Sequence, residues 1–195
     1  MTWRIGLALA GVLAGGGQPA AAVGAAGRWG QAIEVPGLGA LNKGEQAQVL
    51  SVSCSPRPSC AAGGFYRDGD GHQQGFVVSE RNGVWRQATE VPGLSALATG
   101  GGAHVGSVSC ASAGNCAAGG SYGSVQGETF DKGFVASEKN DVWGRAIEVP
   151  GLGTLTTGRF ARVASVSCAS PGTCAAGGSY ADRSGHYNRL QGFVT

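Results

Sequence analysis

Residues 107–120 read SVSCASAGNCAAGG, and the chain writes nearly the same phrase twice more, SVSCSPRPSCAAGG at 51–64 and SVSCASPGTCAAGG at 165–178. In each copy two strand-like runs flank a polar turn and carry a cysteine at their inner ends. Each therefore predicts a β-hairpin whose two cysteines stand opposite one another. A turn of SPRPS, ASAGN or ASPGT is short enough for this, so three local disulfides are expected, Cys54–Cys60, Cys110–Cys116 and Cys168–Cys174. In the chain-entropy account a loop this small contributes on the order of 2 to 2.5 kcal/mol and also fixes strand register. A zinc site would want four ligands at closer spacing, and one cysteine pair per repeat with no associated histidine does not supply them, so no metal is expected.

The rest of the chain keeps the same period. Trp29, Trp85 and Trp143 open WGQAIEVPGL, WRQATEVPGL and WGRAIEVPGL, and their numbers differ by 56 and 58. QGFVVSE from Gln74, KGFVASE from Lys132 and QGFVT from Gln191 recur in step. Such self-similarity defines a repeat protein. We divide residues 28–195, read as a single β-repeat domain, into repeats at about 28–83, 84–141 and 142–195. Every repeat carries four strand-like pieces, AxVxSVSC, CAAGGxY, GFVxSE and VWxxAxEVPG, so the fold class is all-β with three four-stranded antiparallel repeats. Alternation of period two puts Ala103, Val105 and Ser107 on one face of the first strand and Val108 and Cys110 on the other. Asn82-Gly83 and Asn140-Asp141 predict tight hairpins between the third and fourth strands. Pro36-Gly37, Pro92-Gly93 and Pro150-Gly151 predict type II turns after the fourth.

Composition narrows the setting. Of 195 residues 37 are glycine, only 13% are charged and the formal net charge is +2. No basic stripe is available for phosphates, and nucleic acid is not an expected partner. The opening residues show Arg4, an apolar run over 5–14 and a region of small residues. They predict a signal peptide over 1–25, cut after Ala22 or Ala25, with no membrane segment in the mature form. Six cysteines then fit an oxidising, extracellular setting.

Four strands per repeat match one blade of a β-propeller. Ser79, Glu80, Gly83 and Trp85, with Ser137, Glu138 and Trp143, resemble the Asp-box hairpin of sialidase-type (BNR-like) propeller repeats, although valine precedes each tryptophan. The whole repeat, over 28–195, is similar to secreted actinobacterial repeat proteins of unassigned function. The resemblance implies blades, with a serine, an acidic residue and a tryptophan pinning the turn between strands three and four. Residues 29–35 then provide a fourth strand that completes the last repeat by pairing with the strand over 192–195. Three blades are few for a ring, which leaves self-association, a shortened member of a longer family, or a β-trefoil as alternatives.

Sites of chemistry are scarce. Ser121 satisfies G-x-S-x-G, but no helical periodicity follows it, so no nucleophile elbow is expected. Asp68 and Asp70 alternate on a turn without the remaining oxygens of a calcium loop. His72 and His186 follow their glycine pairs by the same distance, with Glu128 in the middle repeat, and read as loop residues. Glu34, Glu90 and Glu148 recur before Val-Pro-Gly and suggest acceptors for backbone hydrogen bonds. Tyr66, Tyr122 and Tyr180 recur after each glycine pair and suggest packing. The arginine cluster of a sialidase is missing, and no catalytic residue and no cofactor is assigned. The expectation is a secreted, non-enzymatic module that binds a glycan, a cell-wall component or a protein through its inter-strand loops. The alternatives are a glycosidase or lyase acting at a ring centre, and a structural or truncated repeat protein without its own activity.

Overall fold

The computed structural model describes residues 29–56, 59–124, 132–156, 160–182 and 189–195. Glu34–Thr195 form a compact unit distinct from Met1–Ile33. In the latter, residues 29–33 are described and carry no regular structure; the predicted signal peptide lies outside the described residues.

Within Glu34–Thr195 the elements repeat in order. Sheet 1 contains β1 (Ala47–Cys54), β2 (Ser59–Arg67), β3 (Gln73–Arg81), β4 (Val84–Trp85) and β5 (Thr89–Glu90). Sheet 2 contains β6 (Ala103–Ser112), β7 (Asn115–Tyr122), β8 (Lys132–Lys139), β9 (Val142–Trp143) and β10 (Ile147–Glu148). Sheet 3 has three strands, β11 (Ala161–Ser170), β12 (Thr173–Asp182) and β13 (Arg189–Val194). All strand pairings in these sheets are antiparallel. The chain is thus all-β, and none of the three sheets closes into a barrel, as a trefoil would require.

Two expectations need correction. First, the fourth strand of a repeat is broken into two two-residue pieces, so sheets 1 and 2 have five strands each instead of four. The break occurs because the middle of the segment turns its backbone elsewhere: Ala88 N–H donates to Pro36 O at 2.7 Å and Ala146 N–H to Pro92 O at 2.8 Å. Second, residues 29–35 form no strand and sheet 3 ends at β13, so the last repeat is not completed from the N-terminal side. The bond from Ala88 holds Pro36 on sheet 1, where Val35 and Leu38 join a core cluster with Phe76 and Val78. The Pro-Gly turns form as expected, and each runs into a single helical turn, α1 (Leu38–Leu41), α2 (Leu94–Leu97) and α3 (Leu152–Leu155). Gly37, Gly93 and Gly151 have φ of 78°, 72° and 77°, as the type II turns require. Four residues are too few to write a helical period into a sequence.

The two glycines of CAAGG do different jobs. A Cβ on Gly64 would lie 1.8 Å from Gln48 O, and one on Gly120 1.9 Å from His104 O. Those carbonyls approach because the first strand bulges, with register shifts between Val49 and Ser51 and between Val105 and Ser107. The bulge corrects the alternation drawn from sequence: it brings Val105 and Val108 onto one buried face. That face meets the other glycine, on the neighbouring sheet. A Cβ on Gly63 would lie 2.5 Å from Val105 Cγ1 and 3.0 Å from Val108 Cγ2, and one on Gly119 2.6 Å from Val163 Cγ1 and 2.8 Å from Val166 Cγ2. Sheet 2 therefore packs on sheet 1, and sheet 3 on sheet 2, by setting two valines into the hollow over a glycine. Each buried valine contributes roughly 1.5 to 3 kcal/mol.

Serines of SVSC complete the joint. Ser51 Oγ accepts from Val108 N–H at 2.9 Å and Ser53 Oγ from Cys110 N–H at 3.0 Å; Ser107 and Ser109 take Val166 and Cys168 N–H in the same way. These amides lie on the outer edge of β6 and β11, where no further strand pairs with them among the described residues. The serines satisfy an edge that would otherwise bury unpaired donors.

Candidate functional site

The two ends of each sheet differ in character. At one end lie the cysteine turns and the β3–β4 hairpins, where several carboxylates and a serine are engaged. Cys54–Cys60, Cys110–Cys116 and Cys168–Cys174 are all bonded, with Cα atoms 3.9 to 4.0 Å apart, and each pair is directly cross-strand. Asn82 and Gly83, like Asn140 and Asp141, both have positive φ, the signature of a type I′ turn. Glu80 accepts from Gly83 N–H and, at 3.1 Å, from Cys60 N–H, so one carboxylate ties the hairpin turn to β2.

In sheet 2 the equivalent residue acts across sheets. Ser79 Oγ donates to Glu138 Oε1 at 2.6 Å and accepts from Trp143 Nε1 at 3.1 Å. Burial holds the Glu138 carboxyl above its ordinary range; the Ser79 bond opposes this, Asp141 adds to it, and Arg81 and Arg86 oppose it. Arg81 closes the same joint with a two-pronged bond to Asp141. Sequence reasoning did not assign Ser79, Arg81 or Asp141 to this bridge. The Asp-box resemblance pointed to Ser79, Glu138 and Trp143, but as pins within a hairpin and not as a bridge between sheets.

The recurrent glutamates and tyrosines meet. Tyr66 OH donates to Glu90 Oε2 at 3.3 Å, and Tyr122 OH to Glu148 Oε2 at 3.3 Å. Glu90 also accepts from Ser95 N–H at 3.2 Å, the backbone role expected near the turn, whereas Glu148 pairs with Lys132 Nζ at 3.1 Å. Burial first, then Glu90, pushes the Tyr66 phenol well up. Ser121 lies within β7, 1% exposed, and has no hydrogen-bond partner among the described residues. A residue inside a strand forms no nucleophile elbow.

At the opposite end of the sheets lie the β2–β3 loops, where the repeats differ most in sequence. The first is described in full. Asp68 Oδ1 accepts from Asp70 N–H at 3.0 Å and His72 N–H at 2.8 Å, and Oδ2 accepts from Gln74 Nε2 at 3.1 Å. Partial burial disfavours the ionised carboxyl, yet these bonds outweigh it and draw its pKa down. Arg67 spans the loop to Gly71 O at 2.6 Å. Asp70 and His72 are left exposed on a fixed backbone. Asp68, Asp70 and His72 bring ligand-type atoms within 4.8 Å of one another, but the Asp68 oxygens already serve the loop. Most of the second loop, with Glu128, and most of the third, with His186, lie outside the described residues.

A groove of about 440 Å³ runs between sheets 2 and 3, bordered by Ser137, Glu138, Ile147, Val166 and Thr195. Glu138 is the one acidic side chain on its described lining. Among the described residues, no helix is long and apolar enough to cross a membrane. Comparison with protein-family models gives no match to this chain. Comparison with the curated proteins gives none either.

Proposed function

We propose that this chain is an exported, non-enzymatic recognition module built of propeller-like blades, which takes a glycan, a cell-wall component or a protein on its β2–β3 loops. The observation that carries this reading is the contrast between those loops and the frame beneath them. The sheets repeat the same bulge, glycine pair and disulfide, while RDGDGHQQ, GSVQGETFDK and ADRSGHYNRLQ vary in length and polarity. Recognition usually resides on loops that a rigid scaffold positions. Export is supported by three disulfides in one small chain.

A hydrolase reading receives less support. A glycosidase wants two carboxyl groups facing one cleft. Here Glu80, Glu90, Glu138, Glu148 and Asp141 are each committed to a structural bond. The test is retention of the oxidised chain on insoluble peptidoglycan and on a glycan array. Replacement of residues 67–74 by a Gly-Ser linker is expected to reduce retention on the ligand that scores. Binding that survives replacement of all three loops refutes the loop assignment, and turnover of the ligand refutes the non-enzymatic one.

A further inference from the structure

We propose that two copies of this chain join head to tail, the outer face of sheet 1 of each copy seating on the outer face of sheet 3 of the other, to close a ring of six sheets. The inference does not depend on what the loops bind.

The joint it requires is already made twice within one chain. Val105 and Val108 of sheet 2 fill the hollow over Gly63 of sheet 1, and Val163 and Val166 of sheet 3 fill the hollow over Gly119 of sheet 2. Sheet 1 presents the same valine pair to solvent. Val49 and Val52 are 43% and 61% exposed, where Val105 and Val108 are 0% and 6%. Sheet 3 presents the same hollow. Among the described residues, a Cβ on Gly177 would meet its own sheet alone, Phe193 O at 3.3 Å and Val194 Cγ1 at 3.6 Å. Val194 is 87% exposed, although its counterpart Val77 in sheet 1 is fully buried.

The polar half of the joint is present as well. Ser165 and Ser167 stand where Ser51, Ser53, Ser107 and Ser109 accept amide protons from the next sheet, and they have no hydrogen-bond partner among the described residues. The matching amides on sheet 1 are those of Val52 and Cys54. One face carries the valines and the other the hollow, so the contact is heterologous and must close into a ring or run on as a fibre. Propeller rings typically hold four to eight blades. Two copies of residues 34–195 supply six sheets, within that range.

The same geometry finds a place for residues 29–35. Pro36 O takes Ala88 N–H as Pro92 O takes Ala146 N–H. By the repeat, the stretch ending at Pro36 thus corresponds to the fourth strand of a sheet preceding sheet 1, and in the ring that is the other copy's sheet 3. Added to the edge of β13, it would bring Trp29 to Ser137 as Trp143 comes to Ser79, filling the groove beside Glu138, and Glu34 to Tyr180 as Glu90 comes to Tyr66. Trp29 is 99% exposed in the single chain. Strand addition of this kind supplies main-chain hydrogen bonds across an unpaired edge.

Light scattering on the purified, oxidised chain tests the proposal. The expected mass is twice that of one chain. Val52→Arg, at a position 61% exposed, and Gly177→Leu, on the bare hollow of sheet 3, are each expected to halve it while leaving the far-ultraviolet circular dichroism unchanged. Val84→Arg, exposed but on neither face, is expected to leave the double mass intact. Mixing Val52→Arg with Gly177→Leu leaves one intact joint between unlike copies and is expected to restore association. A single-chain mass at every concentration, a mass above two chains, or a double mass indifferent to both face variants overturns it.

Discussion

Gly63 and Val105 occupy one space: any side chain on the first would collide with the second, since its Cβ would stand 2.5 Å from Val105 Cγ1. Sheet 2 thus approaches sheet 1 as closely as its valines allow. Gly63→Ala is expected to push the sheets apart at a cost of about 1 to 3 kcal/mol, the usual range for overpacking. Gly64→Ala meets the immovable Gln48 carbonyl instead and is expected to cost more. Urea unfolding of the two variants orders them, and equal effects would deny the two glycines separate jobs.

Removing a serine hydroxyl from β6 leaves an amide on the next sheet without its acceptor. Ser107→Ala leaves Val166 N–H without its acceptor, and Ser109→Ala does the same to Cys168 N–H. Each is expected to cost about 1 to 3 kcal/mol, the penalty for an orphaned donor. Unfolding midpoints that match the parent chain would show that water replaces the hydroxyl.

Glu138 gives stability a distinct pH dependence. Burial raises its pKa above the ordinary 4.5, so the folded chain holds this proton more tightly than the unfolded chain. Its contribution is therefore full below that value and is lost as pH rises through the raised one. Glu138→Gln keeps an acceptor for Ser79 and is expected to flatten the decline that sets in as pH rises above about 4.5. Urea midpoints that fall equally for both proteins over that rise would place the titration elsewhere.

Ser121 carries a buried hydroxyl that nothing among the described residues satisfies. Ser121→Ala is expected to leave stability unchanged or raise it by up to about 1 kcal/mol, since a desolvated hydroxyl without a partner is unfavourable. A clear loss of stability on thermal unfolding would reveal a partner for it.

The central disulfide closes a seven-residue loop, from Cys110 to Cys116. The double variant Cys110→Ala with Cys116→Ala is expected to lose about 2.4 kcal/mol, the chain-entropy value for that length. A loss of more than twice this in urea would mean that packing around the two sulfurs, both buried, outweighs the loop constraint.

Much of the architecture is legible in the letters because it is local. Cysteines six apart across a turn, Asn-Gly and Pro-Gly each prescribe backbone within a few residues, and their geometry is as written. What sequence misses is decided between neighbours. The bulge that turns Val108 to the buried face depends on Gly120 admitting the His104 carbonyl, a contact between two strands. The broken fourth strand depends on Ala88 choosing Pro36 over β3. The bridge from Ser79 to Glu138 and Trp143 spans 59 and 64 residues, beyond any local pattern. The loops were legible only as variable, since length and polarity mark them without prescribing what they hold.

The valine-over-glycine joint has a mechanical corollary. Because each sheet is tied chiefly to the one beside it, stability accumulates link by link, as in a one-dimensional lattice. A sheet gripped on both flanks melts last, so in a single copy amide exchange should be slowest along β6 and β7, and fraying should advance inward from the bare flanks of sheets 1 and 3.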